Sequence, residues 1–201
     1  MGADTQVLEN FEYFKSGKFK RSGWYIQDKK SQLHEVYSIK KEGDNQFLHA
    51  HSQGPFVQIF KKKGWSIKNK PYLSWKWRVH THPIKKNLKS KKEDSAASVY
   101  VVFKKSLFSV RTIKYTWTLH GKVGEKAQAK PDYPSIRIRV GKDGTGTWVS
   151  EKRNIAEDFK MFWPDAQVPN RAWAVGMVTE SDSAKVKDAK ADYDDFVVMS
   201  N

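Results

Sequence analysis

The segment that decides the fold is Tyr72-Leu73-Ser74-Trp75-Lys76-Trp77-Arg78-Val79. Leucine, tryptophan and valine alternate here with serine, lysine and arginine. Because successive side chains of a β-strand point to opposite faces, this alternation predicts a strand with one buried face and one basic face.

Further segments support the same interpretation. Residues 113–119 and 136–140 repeat the alternation, and residues 98–103 are continuously apolar, as is typical of a central strand covered on both sides. Residues 172–178 and 195–199 predict two more strands. One short helix is predicted, capped by Asn154 and ended before Pro164. The sequence therefore predicts an all-β, two-sheet antiparallel sandwich. We expect residues 1–201 to form a single domain with its core between about residues 8 and 199.

The composition limits the functional classes. Lysine and arginine number 37 against 22 acidic residues, and the net charge of +15 attracts polyanions without identifying one. The absence of cysteine excludes disulfides, thiol catalysis and cysteine-ligated zinc. No apolar run approaches the roughly 20 residues that span a bilayer, so we expect a protein that does not span the membrane.

The polar residues of the alternating strands are candidates for ligand binding. If their strands are neighbours, they form a basic groove, in which arginine matches carboxylates and sulfates and a nearby tryptophan stacks on a sugar. The predicted ligand-binding residues are Lys76, Arg78, Lys114, Arg137, Arg139 and Trp148. The alternative is an ordinary solvated outer face.

The eight tryptophans divide by their position in these patterns. Trp75, Trp77 and Trp117 share a face with aliphatic residues, which predicts that they are core. Other tryptophans lie near turns or basic residues, where they either bind a ligand or pack at the edge of the core; these are Trp24, Trp65, Trp148 and Trp163.

An enzymatic alternative uses some of the same residues. In a uronate lyase, Arg78 would neutralise the substrate carboxylate, as Arg137 or Arg139 also could, and His80 or His120 would act as the base. Glycoside hydrolysis is disfavoured because no confident strand carries paired carboxylates. The sequence leans against an enzyme.

Two His-x-His pairs, His49-Ala50-His51 and His80-Thr81-His82, place both imidazoles of each pair on one side of a strand. No acid or third histidine lies at a helpful spacing nearby. The sequence alone gives little support for a transition-metal site.

Several motifs together resemble a bacterial family of exported proteins, domain-of-unknown-function family 3047. The motifs lie at residues 73–79, 94–103, 114–117, 153–158 and 179–182. The resemblance implies a periplasmic or secreted protein without an assigned reaction. Where the family pattern leads us to expect an arginine before the tyrosine strand, this chain has Ser98, which puts a role for such an arginine in doubt.

A looser resemblance is to jelly-roll carbohydrate-binding modules. It rests on Asn10-Phe11-Glu12, the downstream Trp24 and the segment 193–197. It implies a jelly-roll-like sandwich whose first and last strands pair and whose acids, here Glu12, Asp194 and Asp195, hold a structural calcium ion. The alternative is that these acids keep an edge strand soluble. No other cofactor is expected.

The functional expectation combines these observations. It is an exported module that binds an acidic polysaccharide through a basic sheet face. A uronate lyase is the alternative. The third possibility is a structural envelope protein, or binding of nucleic acid or another polyanion through the cationic and aromatic run 61–92.

Overall fold

The computed structural model describes residues 4–15, 17–19, 23–27, 30–87, 94–128 and 130–200. Most of the lysine-rich stretch near residue 90 lies outside the described residues. In chain order the elements are β1 (Thr5–Glu9), β2 (Gly17–Lys18), β3 (Trp24–Gln27), a 3-10 turn (Lys30–Gln32), α1 (Leu33–Val36), β4 (Tyr37–Glu42), β5 (Asn45–Ser52), β6 (Gln58–Lys61), β7 (Trp65–Ser66), β8 (Tyr72–Thr81), β9 (Ala97–Lys104), β10 (Val110–Thr118), β11 (Lys126–Ala127), β12 (Ser135–Val140), β13 (Val149–Asn154), α2 (Ile155–Phe162), β14 (Arg171–Ala172), β15 (Ala174–Val178) and β16 (Ala189–Met199).

The first sheet has the strand order β13-β8-β16-β5-β4-β2, and β1 also pairs with β16. Strand β16 pairs with β5 through residues 189–193 and with β1 through residues 196–199. Between these stretches, the register against β8 shifts after Asp194, and Asp195 has a φ of 49°. This irregularity lies where β16 changes its partner.

The second sheet has the order β11-β12-β10-β9-β15-β6-β3. Its pairs are antiparallel except β10 and β12, which are parallel. A short β7–β14 pair forms a third, minor sheet. The predicted two-sheet, jelly-roll-like sandwich is confirmed, and the parallel pair is the exception to its antiparallel character.

Aromatic side chains join the two sheets. The Trp75 ring lies 5.4 Å from that of Tyr115, and the Trp77 ring lies 5.9 Å from that of Trp117. All four side chains are fully buried. The prediction that Trp75, Trp77 and Trp117 are core residues is confirmed. Burying such large apolar surfaces between the sheets is the main favourable term in folding.

The predicted helix is α2. The side chain of Asn154 accepts hydrogen bonds from the backbone N–H groups of Ala156 and Glu157, at 3.1 and 3.3 Å, and so caps the helix. Phe159 packs on Phe103 of the second sheet, with ring centroids 5.1 Å apart. The four-residue α1 was not predicted, because a single turn has no recognisable periodicity.

Within the described part of the chain, no helix has the length and apolar character needed to cross a membrane.

Candidate ligand groove

A groove runs across the outer face of the second sheet. It contains a cavity of about 190 Å³ and a neighbouring one of about 270 Å³, which share Gln58, Tyr100, Thr112 and Tyr133. Its walls come from the adjacent strands β3, β6, β15, β9 and β10 and from the segment before β12. The groove therefore crosses five neighbouring strands.

The floor of the groove is apolar. Tyr100 and Val102 of β9 point outward and pack with Phe60 and Ala174 in a small cluster separate from the main core. Gly176 of β15 contributes to this floor through its lack of a side chain, because a Cβ there would lie only 2.3 Å from Cδ1 of Phe60. Glycine thus allows the Phe60 ring to lie close against the strand.

The floor of the groove shows how the outer face of β9 is covered. The apolar run 98–103 predicts a strand covered on both faces, and β9 is indeed central and buried. Its outer side chains are covered by aromatic neighbours such as Phe60 and by Phe56 and Trp173 packed against them. The apolar run therefore forms the floor of a groove.

Aromatic side chains also form the sides of the groove. Tyr25 is 44 % exposed and Tyr133 is 52 % exposed, and both line the 190 Å³ cavity. Trp173 is partly exposed, and its backbone N–H donates to the carbonyl of Val102 at 2.7 Å, which fixes it beside β9. Exposed rings with a fixed backbone are suited to stacking on flat apolar faces of a ligand.

Lys62 supplies positive charge at this end. Its ammonium lies 4.6 Å from the centroid of the Tyr25 ring and 4.9 Å from that of Trp173. Among the described residues, no carboxylate forms an ion pair with Lys62. The charge is therefore held in place by two rings while remaining available to an anion.

The opposite end of the groove is polar. The Gln58 amide donates to the Tyr100 hydroxyl at 2.9 Å, and Lys114 forms an ion pair with Glu180. Glu180 also accepts from the backbone N–H and the hydroxyl of Ser95, at 3.2 and 3.3 Å. The polar groups of the floor are thus oriented by hydrogen bonds within the chain.

The surroundings of Tyr100 and Lys114 shift the pKa values of both side chains. Burial raises the pKa of Tyr100 to about 12, so its hydroxyl stays neutral at physiological pH. Burial acts to lower the pKa of Lys114, but the Glu180 carboxylate outweighs it and holds that pKa above its ordinary value. Lys114 is therefore a permanent cation whose charge is already balanced by Glu180.

The groove has few groups for catalysis. Glu180 is the single carboxylate among the described lining residues, and none of these is a histidine. Canonical glycoside hydrolysis needs two carboxyl groups that flank the bond to be broken. The arrangement can stack, hydrogen bond and attract an anion, which are the properties of a binding surface.

The structure distributes the predicted basic residues over both sheets. Lys76 and Arg78 lie on the outer face of β8 in the first sheet, whereas Lys114 lies in the groove. The condition for one basic groove, that the strands are neighbours, is met for β10 and β12 but not for β8. Each predicted cation is paired with an acid: Lys76 with Asp195, Arg78 with Asp192 and Glu42, Lys114 with Glu180, Arg137 with Glu125, and Arg139 with Glu151.

Arg139 lies at the edge between the sheets. The register of β10 against β12 shifts after Thr116, so Trp117 is aligned with Arg139. The Arg139 guanidinium lies 5.5 Å from the Trp117 ring and pairs with Glu151 of β13 in the opposite sheet. A bulge of this kind cannot be seen in a regular sequence alternation.

The residues of the lyase hypothesis lie outside the groove. Arg78 and His80 are neighbours on the outer face of β8, and both contact Asp192 of β16, at 2.8 and 2.6 Å. His120 follows β10 in the second sheet. Trp148 lies beside Arg78, with 4.7 Å between the guanidinium and the ring.

The predicted calcium ligands lie near one another at the irregularity in β16. Glu12 accepts from the backbone N–H of Gln46 at 2.9 Å, Asp194 accepts from the Asn45 amide at 2.9 Å, and Asp195 pairs with Lys76. Burial raises the pKa of Asp194 to about 7, with smaller contributions from the charges of Asp195 and Glu12. Calcium binding by these acids stays a prediction.

Comparison with known proteins places the chain in a family. Residues 22–197 match the model of the family described as "Protein of unknown function (DUF3047)". The chain belongs to this family. The resemblance noted in the sequence is thus confirmed for the DUF3047 motifs. The comparison with curated proteins finds no match.

Among solved structures, the fold of this DUF3047 protein is similar to those of a xyloglucanase, a protein solved with a galactotriose and an endoglucanase. A family 12 xyloglucanase from Bacillus licheniformis shares 7 % identity over 98 % of this chain and 100 % of its own, with a TM-score of 0.48. TmCBM61, solved with β-1,4-galactotriose, shares 12 % identity over 94 % and 93 %, with a TM-score of 0.42. Endoglucanase cel12A from Rhodothermus marinus shares 13 % over 98 % of both, with a TM-score of 0.44. Likenesses at these levels carry no argument about function.

The aromatic residues of the DUF3047 groove were largely missed in the sequence. Trp24, Trp65 and Trp163, which were candidates for stacking, are buried, and Trp148 lies on the other sheet. The aromatic residues that line the groove are Tyr25, Phe56, Phe60, Tyr100, Tyr133 and Trp173. The sequence signal that could have indicated the groove is the apolar run 98–103. In a two-layer sandwich no third layer covers the outer face of such a strand, so its outer apolar side chains must be covered by neighbouring side chains or form a ligand site.

Proposed function

We propose that this DUF3047 protein binds a glycan chain, preferably an acidic one, in the groove of the second sheet. The observation that carries the proposal is the combination of an aromatic floor with the exposed rings of Tyr25 and Tyr133 and the partly exposed ring of Trp173. Sugar rings present flat faces of C–H groups, which pack on aromatic rings, and hydroxyl groups at their edges, which need hydrogen-bonding partners.

The polar groups of the groove suit these hydroxyl groups. Gln27 and Gln58 lie on adjacent strands and line the 190 Å³ cavity, and Thr112 lines both cavities. Amide side chains both donate and accept, so they match a hydroxyl group in either role. A few oriented polar groups around an apolar floor are typical of small-molecule and oligosaccharide sites.

The preference for acidic sugars rests on Lys62. Its ammonium lies between two candidate stacking rings and has no described ion-pair partner, so a uronate or sulfate on a bound sugar could take that place. Lys104 adds a second ammonium, 5.4 Å from the Trp173 ring. The net charge of +15 increases the encounter rate with polyanions in general.

Binding without cleavage is favoured by what lines the groove. The described lining residues offer a single carboxylate, Glu180, which is committed to Lys114 and Ser95. His80 and His120, the bases of the lyase hypothesis, are not among those lining residues. The predicted exported location agrees with a polysaccharide ligand.

The test compares variants of the two sheet faces. A glycan array containing neutral, uronate and sulfated oligosaccharides is screened at physiological ionic strength, and hits are measured by calorimetry. Trp173→Ala should weaken binding about tenfold, which corresponds to the loss of one stacked ring. Trp148→Ala is the matched control, because Trp148 is a partly exposed tryptophan on the other sheet, and it should leave affinity unchanged.

A second variant tests the charge preference. Lys62→Met should weaken binding of an acidic glycan about threefold and leave a neutral analogue unaffected, since a solvent-exposed ion pair contributes under about 1 kcal/mol. Equal loss in Trp148→Ala and Trp173→Ala would contradict the location of the site. Binding of single-stranded DNA and every acidic polymer alike, with a steep dependence on salt, would show generic polyanion binding instead.

A further inference from the structure

The outer face of the first sheet carries a cluster that is separate from the groove. It consists of His49 on β5, His80 on β8 and Asp192 on β16, and these three strands are adjacent. His49 lies directly across from Asp192, and Arg78, two residues before His80, lies across from Asp192 on the other side. The sheet itself therefore brings together three side chains from distant parts of the sequence.

The donor atoms of the cluster converge. Nδ1 of His49 lies 2.6 Å from Oδ1 of Asp192, and Nε2 of His80 lies 2.6 Å from Oδ2. All the candidate ligand atoms lie within 4.8 Å of one another. A zinc ion about 2.0–2.2 Å from each ligand holds tetrahedral ligand atoms roughly 3.4 Å apart. This separation lies between the 2.6 Å contacts and the 4.8 Å limit of the cluster, so a bound ion would replace the two hydrogen bonds once the side chains shift to that spacing.

The chemistry of this set matches a divalent transition metal. Two imidazole nitrogens and one carboxylate oxygen are common ligands of Zn²⁺ and other first-row ions. Asp192 is almost completely buried, whereas His80 is partly exposed, so solvent can supply a further ligand. No acid lies near either His-x-His pair in the sequence, and Asp192 of β16 supplies one through the pairing of the strands.

Neighbouring residues hold the carboxylate in position. Arg78 donates to Oδ2 of Asp192 at 2.8 Å and also to Glu42 at 3.0 Å, so Glu42 offsets the guanidinium charge. The guanidinium also lies 5.2 Å from the Phe47 ring. Outer contacts of this kind fix the orientation of a metal ligand.

We propose that His49, His80 and Asp192 form a binding site for a divalent transition metal ion of the Zn²⁺ type. One histidine comes from each His-x-His pair. The second histidines are placed elsewhere: His51 pairs with Asp188 at 2.8 Å, and His82 is buried beside Trp117. The bound ion links the three central strands of the first sheet, and it acts independently of the glycan groove.

The test uses chelator-treated protein without an affinity tag, titrated with Zn²⁺ by calorimetry and with Co²⁺ by visible absorption. We expect one equivalent to bind, with a Co²⁺ spectrum typical of nitrogen and oxygen ligands. At saturating Zn²⁺, about 100 times the dissociation constant, the melting temperature should rise by roughly 5–10 °C.

Variants decide whether the ion is at this site. His80→Ala and His49→Ala should each weaken binding at least about tenfold and abolish the shift in melting temperature. His51→Ala is the matched control, because it removes a single histidine–aspartate pair from the same strand face, and it should bind like the wild type. The metal-free melting temperature of each variant checks that it folds.

The proposal is overturned if wild-type protein shows no saturable binding. It is also overturned if His80→Ala binds Zn²⁺ as tightly as the wild type, or if His51→Ala loses as much affinity as His49→Ala. Loss of glycan binding in the groove variants has no bearing on these outcomes, so the two proposals fail separately.

Discussion

Replacing Lys114 by methionine removes the countercharge of Glu180 in the floor of the groove. The Lys114 side chain is 20 % exposed and that of Glu180 is 9 % exposed, so the remaining carboxylate would be largely buried. Breaking a fully buried ion pair costs about 3–5 kcal/mol, and an exposed pair contributes about 0–1 kcal/mol. Because Glu180 keeps its hydrogen bonds from Ser95, we expect Lys114→Met to lower the free energy of unfolding by about 2–3 kcal/mol.

The double variant separates charge from packing. Lys114→Met with Glu180→Gln removes both charges while keeping similar volumes and the hydrogen bonds of the amide oxygen with Ser95. We expect it to be less destabilised than the sum of the two single variants by about 2 kcal/mol. Lys76→Met is the exposed control, since the side chains of Lys76 and Asp195 are 47 % and 41 % exposed, and it should cost under about 1 kcal/mol.

Urea unfolding followed by tryptophan fluorescence at neutral pH measures the wild type, the single variants Lys114→Met, Glu180→Gln and Lys76→Met, and the double variant. The denaturant dependence of the free energy should be the same in each, so that midpoints report stability directly. The reasoning is refuted if Lys114→Met is no more costly than Lys76→Met. It is equally refuted if the two single losses add in the double variant.

Three further predictions concern other parts of the fold. Asp194→Asn tests the buried Asp194 carboxyl, whose pKa burial raises from 3.8 to about 7. Because the folded state keeps this proton to a higher pH than the unfolded state does, the free energy of unfolding of the wild type falls as the pH rises from about 4 to about 7. Chelator-treated Asp194→Asn should lack this fall and be more stable than the wild type at about pH 8, by at most about 4 kcal/mol. Urea unfolding at a series of pH values measures both proteins, and equal pH profiles would contradict the raised pKa. Gly176→Ala should displace the Phe60 ring, cost about 1–3 kcal/mol in chemical unfolding and weaken any groove ligand; unchanged stability and affinity would show that the close contact is relieved cheaply. Asn154→Ala should lower the melting temperature in a thermal scan, corresponding to about 1 kcal/mol for the lost cap, whereas Lys152→Ala, a nearby exposed change, should not.

The fold was predictable because its signals are local. The alternation in residues 72–79 sets which side chains of β8 are buried, and it holds whatever strand lies beside it. The Asn154 cap and the stop before Pro164 also act within a few residues. The parallel pairing of β10 with β12 was not predictable, since it depends on how the chain between them crosses the sheet.

The site was less predictable because its parts come from distant segments. The charged residues were assigned to outer faces, but their acidic partners lie far along the chain, such as Asp192 for Arg78 and Glu180 for Lys114. A sequence shows the cation without showing the acid that neutralises it. Lys62 differs from these paired cations because its ammonium contacts the rings of Tyr25 and Trp173. The alternation of polar and apolar residues in the sequence does not distinguish it from the other lysines.

The position of β16 has a consequence for the kinetics of folding. This strand lies between β8 and β5 in the first sheet, yet it follows both in sequence, and its far end pairs with β1, for example Met199 with Thr5. Until residues 189–199 dock, β8 and β5 present unpaired edges that can join another chain. Closing so long a loop is entropically costly, and folds dominated by distant pairings fold slowly. We therefore expect docking of β16 to limit the folding rate and aggregation to compete with it during refolding at high protein concentration.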